Sequence, residues 1–155
     1  ETLTVAPTED RTLSRLTLTT FASDVQIEQI TKQLNKLIEV VKLVDLTEGE
    51  HVERELMLIK VKAAGGGTRS EVRELVDIFR AQIVDVGGDE VMIEISGREN
   101  KIEAFIERMR PFGIVELVRT GRIAMVRSVS TDRDGQAGSR SHGSSISKYT
   151  KEESS

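Results

Sequence analysis

Leu3 and Val5 alternate with Thr2 and Thr4, the period of two expected of a half-buried strand, so residues 2–6 are predicted to be extended. Pro7-Thr8-Glu9-Asp10-Arg11 reads as a turn. A second strand over 15–21 places Leu16 and Leu18 on one face, between Arg15, Thr17 and Thr19. The period then becomes helical. Ile27, Ile30, Leu34, Leu37, Ile38 and Val41 make one apolar stripe, with Ser23 as N-cap and Gln26 at the capping-box spacing. A strand over 40–46 closes this half, and polar Thr47-Glu48-Gly49-Glu50-His51 reads as a linker.

The second half is patterned more strongly. Residues 55–63 predict a long strand with Met57, Ile59, Val61 and Ala63 on one face, and Leu56 and Leu58 on the other. Gly65-Gly66-Gly67 reads as a loop, with Thr68 and Glu71 as a capping box for a helix that buries Val72, Leu75, Val76 and Phe79. A strand over 82–86, a Gly87-Gly88-Asp89 turn and a strand through Val91, Ile93 and Ile95 form a hairpin. Ser96 and Glu99 are expected to cap a third helix with Ile102, Phe105, Ile106 and Met109 inward. Pro111 and Gly113 stop it, and a last strand runs over 114–119.

Residues 54–119 therefore read β-α-β-β-α-β, a ferredoxin-like α+β sandwich. The first half, strand-strand-helix-strand, repeats the last four elements of that series, so the fold class is α+β with two tandem ferredoxin-like modules. On this reading the first module lacks its opening strand and helix. That strand is central in the ferredoxin-like sheet, so the half is expected not to hold a native sheet unless another chain supplies the pairing. The boundaries follow: a partial first module over 1–48, a linker over 49–52 and a complete second module over 53–127. Residues 128–155 hold nine serines and three glycines but only four apolar residues, too few to offset the entropy of ordering, so a disordered tail is expected.

Composition narrows the chemistry. The 22 basic and 26 acidic side chains leave a net charge of −4, against a nucleic-acid surface, which needs clustered positive charge. Aromatic residues are 3% of the chain, and Phe79 and Phe105 fall at helix core positions, so the stacking platform of a single-strand RNA binder is missing. No apolar run approaches the roughly 20 residues that span a bilayer. The chain has no cysteine, which fits a reducing compartment, and its two histidines, His51 and His142, are too few for a histidine-built metal centre. Gly65–Gly67 lacks the residues of a phosphate-binding loop, and the charged run from His51 to Glu55 reads as a strand start rather than a metal site. No serine has a histidine at a suggestive spacing. The residues alone predict a non-catalytic regulatory or assembly module.

Specific strings go further. Leu3-Thr4-Val5-Ala6-Pro7-Thr8-Glu9-Asp10 is followed by Leu13-Ser14-Arg15-Leu16-Thr17. His51-Val52-Glu53-Arg54-Glu55-Leu56-Met57-Leu58-Ile59-Lys60-Val61 comes next. Phe79-Arg80-Ala81-Gln82-Ile83-Val84-Asp85-Val86 and Gly113-Ile114-Val115-Glu116-Leu117-Val118-Arg119-Thr120-Gly121 complete the set. In this order they closely resemble the small, regulatory subunit of acetolactate synthase (acetohydroxyacid synthase), over residues 1–127.

The resemblance implies a partial ACT domain at 1–48 and the C-terminal ferredoxin-like domain of that family at 53–127. It implies a subunit of branched-chain amino-acid biosynthesis, without an active site, that binds and activates a catalytic subunit and confers feedback inhibition by valine or a related amino acid. Thiamine diphosphate, Mg2+ and FAD would belong to the catalytic partner, and no cofactor to this chain. Self-association would run through the ACT domains, with the effector between them. Of the effector site the chain carries Thr4, Val5 and Ala6 on the second strand of the domain and Gln29 on the following helix. Arg119, Arg122 and Arg127 are candidates for contact with the catalytic subunit, a solvated basic strand end being the alternative. The implied location is the cytoplasm, or the plastid stroma in a photosynthetic eukaryote. A stand-alone ACT-type sensing or assembly module with a different partner is the other functional reading.

Overall fold

The computed structural model describes residues 2–47, 49–128 and 144–151, the last stretch by its backbone. The chain divides into two compact units, residues 53–121 and residues 1–52 with 122–155.

In the second unit β4 (His51–Lys62), β5 (Gln82–Val86), β6 (Glu90–Gly97) and β7 (Ile114–Arg119) form a sheet in the order β5-β6-β4-β7. Helices α2 (Gly66–Ile78) and α3 (Glu99–Met109) supply the β-α-β-β-α-β series expected from the periodicity. Register explains which residues are buried. Met57, Ile59 and Val61 on β4 lie opposite Ile95, Ile93 and Val91 on β6, and Leu117 on β7 lies opposite Ile59. One sheet face is thus continuously apolar. Ile102, Phe105, Ile106 and Met109 of α3 and Val72 and Val76 of α2 close it into one core. Phe79 meets the Phe105 ring edge-on at 5.2 Å.

Two helix starts differ from expectation. Helix α2 begins at Gly66, with Gly65 as N-cap at φ +81° and no side-chain cap. That left-handed backbone is easy for glycine, so the chain turns into the helix early and Thr68 already lies inside the first turn. Helix α3 follows Arg98, again without a side-chain cap, because β6 runs on to Gly97 and takes Ser96 into the ladder opposite Leu56. Strand β4 also starts earlier than expected, so His51 and Val52 are strand rather than linker.

The first unit contains β1 (Thr2–Pro7), β2 (Leu13–Thr20), α1 (Asp24–Asn35) and β3 (Val40–Asp45). The Ser23 capping box forms as expected. The Ser23 Oγ accepts from the Gln26 amide at 3.4 Å, and the Ser23 amide donates to Gln26 Oε1 at 2.9 Å. Ser23→Ala is expected to cost about 1 kcal/mol, read as a shift in the urea midpoint of this unit. The helix ends at Asn35, before the end of its apolar stripe. Ile38 consequently lies outside it and is fully exposed, and Leu37 is half exposed.

Beyond β7, residues 123–126, within the stretch expected for the second module, form a strand, β8, and the Arg127 amide donates to the Glu50 carbonyl at 2.9 Å. The tail expected over 128–155 brings the main correction. Residues 144–151 are a further strand, β9, where disorder was expected; residues 129–143 and 152–155 lie outside the described residues. The sheet order is β1-β2-β9-β3. β9 takes the position that the ferredoxin-like topology gives to its first strand. The pairing expected from another chain comes from this one, because any extended segment offers the same main-chain donors and acceptors.

Candidate functional site

Thr4, Val5 and Ala6 lie on β1, opposite Thr17, Leu16 and Arg15 of β2. Alternation sorts the strand into two faces. Thr2 and Thr4 face with Thr17 and Thr19, which are 2% and 5% exposed, and the Thr2 and Thr19 hydroxyls bond at 2.5 Å. Leu3 and Val5 point the other way and stay 59% and 58% exposed. Among the described residues β1 pairs with β2 and with no other strand, so it lies at the edge of the sheet. An exposed apolar stripe beside an open edge suits either a second strand or the ammonium and carboxylate of an amino acid.

Gln29 lies elsewhere. Helix α1 packs against β3, at the opposite edge of the sheet from β1. There Gln29 lines an open depression of 870 Å³ with Phe21, Gln26, Ile30, Gln33 and Lys36, and none of Thr4, Val5 or Ala6 reaches it. The structure keeps the β1 residues together and sets Gln29 apart from them.

The three arginines are likewise divided. Arg122 and Arg127 belong to the first unit and Arg119 to the second. Arg119 lies opposite Met57, on the helix-covered face at the end of β7. Its Nε and Nη2 donate to Glu55 Oε1 and Oε2 at 2.6 and 2.9 Å, a bidentate pair, and Nη1 donates to Glu103 of α3. Thr120 fixes the strand just beyond, its amide donating to the Leu56 carbonyl at 3.0 Å. The hydrogen bonds with Glu55 hold the arginine's pKa above its ordinary value, against the opposing effect of burial. The guanidinium is therefore engaged within its own unit.

Glu55 is the residue that motif reading missed. It is 3% exposed. The signal was present, since Glu55 is in phase with Met57, Ile59 and Val61, and Arg119 with Leu117. Two opposite charges in phase with two core-facing strands mark a buried pair.

Among the described residues no cluster of histidine and acidic side chains could hold a metal ion, and no helix is long and apolar enough to cross a membrane.

Comparison with known proteins finds two family matches along the chain. Residues 1–42 match the family described as "AHAS small subunit-like ACT domain", and residues 54–128 match "Small subunit of acetolactate synthase". The acetolactate synthase small subunit of Aquifex aeolicus is 47% identical over 130 residues, covering 84% of this chain and 68% of the relative. The probable acetolactate synthase small subunit of Archaeoglobus fulgidus is 53% identical over 127 residues, covering 82% and 79%. The crystal structure of the small subunit from Thermotoga maritima superposes with a TM-score of 0.75 at 42% identity, covering 83% of this chain and 80% of that one. A chain with these two modules in this order, alike over most of its length, belongs to the acetolactate synthase small-subunit family.

Proposed function

We propose that this chain is a non-catalytic regulator: it binds and activates a thiamine-diphosphate-dependent acetolactate synthase catalytic subunit, and valine or a related branched-chain amino acid reverses that activation. Membership of a small-subunit family supports a catalytic partner. The observation that carries the sensing role is β1, where Thr4, Val5 and Ala6 lie on an open edge beside the exposed Leu3 and Val5 side chains. Pairing of two such edges would set the two apolar stripes side by side on one face of a continuous sheet, where an apolar effector could lie across both copies. An effector that binds only the paired form shifts the equilibrium by its differential affinity, which is how it would reach the catalytic partner. Arg122 and Arg127 remain candidates for the partner contact. Arg119 acts through its pair with Glu55, by fixing the end of β7.

The test is acetolactate formation by a purified catalytic subunit titrated with this chain, with and without valine. The expected result is a saturable rise in rate that valine suppresses. Val5→Lys, which places a charge on the edge stripe, is expected to abolish the valine response and leave the rise intact. No rise at any ratio would overturn the reading, and a rise indifferent to valine would remove its sensing part.

A further inference from the structure

We propose that strand β5 of the second unit is an interaction surface for a second copy of this chain, paired edge to edge about a two-fold axis with the two α2 helices side by side. The strand differs from β1, and the inference does not depend on pairing there. In the sheet order β5-β6-β4-β7, β5 pairs with β6 and, among the described residues, with no other strand, so it lies at the edge. It is exposed at every position, including Ile83 and Val86, which lie opposite the core residues Ile93 and Val91. Ile83, Val84 and Val86 are each more than a third exposed. Such an apolar edge, without lysine or proline, is open to pairing with another chain. A register shift at Val84 limits its flat stretch, so a strand pair of this length needs support from a neighbouring element.

Helix α2, which packs against β5, supplies it. Its contacts tell its two flanks apart. Phe79 meets Phe105 of α3, whereas Arg69 reaches the other way. The Arg69 Nη2 donates to the Gly87 carbonyl at 2.7 Å and to that of Gly88, in the turn that joins β5 to β6. Arg73 and Asp77 follow Arg69 at successive steps of four, so they lie along that β5-side flank. Both are exposed, and among the described residues neither side chain has a hydrogen bond or ion pair. Arginine ahead of the acid is the weaker order for pairing within one helix. Two residues of strand and four of helix both rise about 6 to 7 Å. Val84, two residues after Gln82, is therefore level with Leu75, four before the C-cap Phe79. A two-fold axis through Val84 passes midway between Arg73 and Asp77, and sets Arg73 of each copy beside Asp77 of the other. The same patch is then complementary to itself, as an isologous interface requires.

The test is the mass of the full chain in solution, by sedimentation, in a Val5→Lys background that charges the β1 edge. Val5→Lys alone is expected to be a dimer, and Val5→Lys with Val84→Lys a monomer. A monomeric Val5→Lys chain, or a dimer that survives Val84→Lys, would overturn the proposal. Val84→Lys alone, set against the natural chain, reads β1 pairing separately. In the same background Arg73→Asp places like charges together on both sides of the axis. The dissociation constant is expected to rise roughly 2- to 30-fold, since each dimer loses two exposed ion pairs. Adding Asp77→Arg exchanges the charges and is expected to restore the original value. No effect of Arg73→Asp, or no recovery in the double reversal, would take α2 out of the seam and overturn the pairing. All these positions are exposed, so the melting temperature of the second unit is expected to stay within a few degrees.

Discussion

Arg119→Ala is expected to destabilise the second unit by about 3–5 kcal/mol, the range for breaking a buried ion pair from one side. The reason is what it leaves behind. The Glu55 side chain is 2% exposed and both its oxygens accept from Arg119, so alanine would leave a carboxylate out of water with neither of those partners. Glu103, half exposed, can turn to solvent, and Glu103→Ala is expected to cost less than about 1 kcal/mol. Arg119→Lys should fall between the two, because an ammonium keeps the charge but cannot make the fork of two parallel bonds. Removing both partners, Glu55→Leu with Arg119→Met, should restore most of what Arg119→Ala loses, since like-sized apolar replacements of a buried pair are often close to neutral. Urea unfolding of the four variants checks the ordering. Equal losses for Arg119→Ala and Glu103→Ala would mean that the buried bidentate contact contributes little.

That pair also shows where the sequence is legible and where it is not. Period-two and helical spacings over 54–119 locate strands β4 to β7 and helices α2 and α3, because one continuous core face dictates both the alternation on the strands and the stripes on the helices. Element starts are a different matter. Thr68 with Glu71 and Ser96 with Glu99 have the spacing of capping boxes and make none, whereas Ser23 with Gln26 does. A capping box is local chemistry, and it is overridden when the neighbouring element claims the residue. Gly65 caps a helix that begins at Gly66, two residues ahead of Thr68, and the β6 ladder takes Ser96. Composition near a strand end says nothing about where Arg119 points; register, which sets it beside Glu55, does.

The tail marks a deeper limit. Composition measures how much apolar surface a segment can bury by itself, and residues 144–151 can bury little. It does not register a vacancy elsewhere in the fold that needs only a backbone. In the sheet order β1-β2-β9-β3, residues 144–151 pair with β2 and β3 through the main chain, which any extended segment can offer. Of the residues expected at an effector site, Thr4, Val5 and Ala6 share one strand, whereas Gln29 lies on α1, which packs against the other edge of the sheet.

Phe105→Ala should have an effect comparable to Arg119→Ala, by a different mechanism and with a different signature. Phe105 is fully buried on α3 and packs edge-on against Phe79. Truncation removes the transfer free energy of the ring and leaves a cavity that the rigid sheet below cannot close, at a cost of about 3–5 kcal/mol. For a unit the size of residues 53–121 that is a large share of the total, and the melting temperature should fall by about 12 °C or more. Phe105→Leu keeps most of the volume and is expected to cost roughly 1–1.5 kcal/mol. Phe79→Ala should also cost less than Phe105→Ala, since Phe79 is only partly buried. The discriminating measurement is a cavity-filling one. Small apolar molecules such as benzene should recover part of the melting temperature of Phe105→Ala, as expected for a dry apolar void, and none of that lost in Arg119→Ala. If benzene rescued neither variant, the space left by Phe105 would have collapsed, and the core between α3 and the sheet would be softer than its packing indicates.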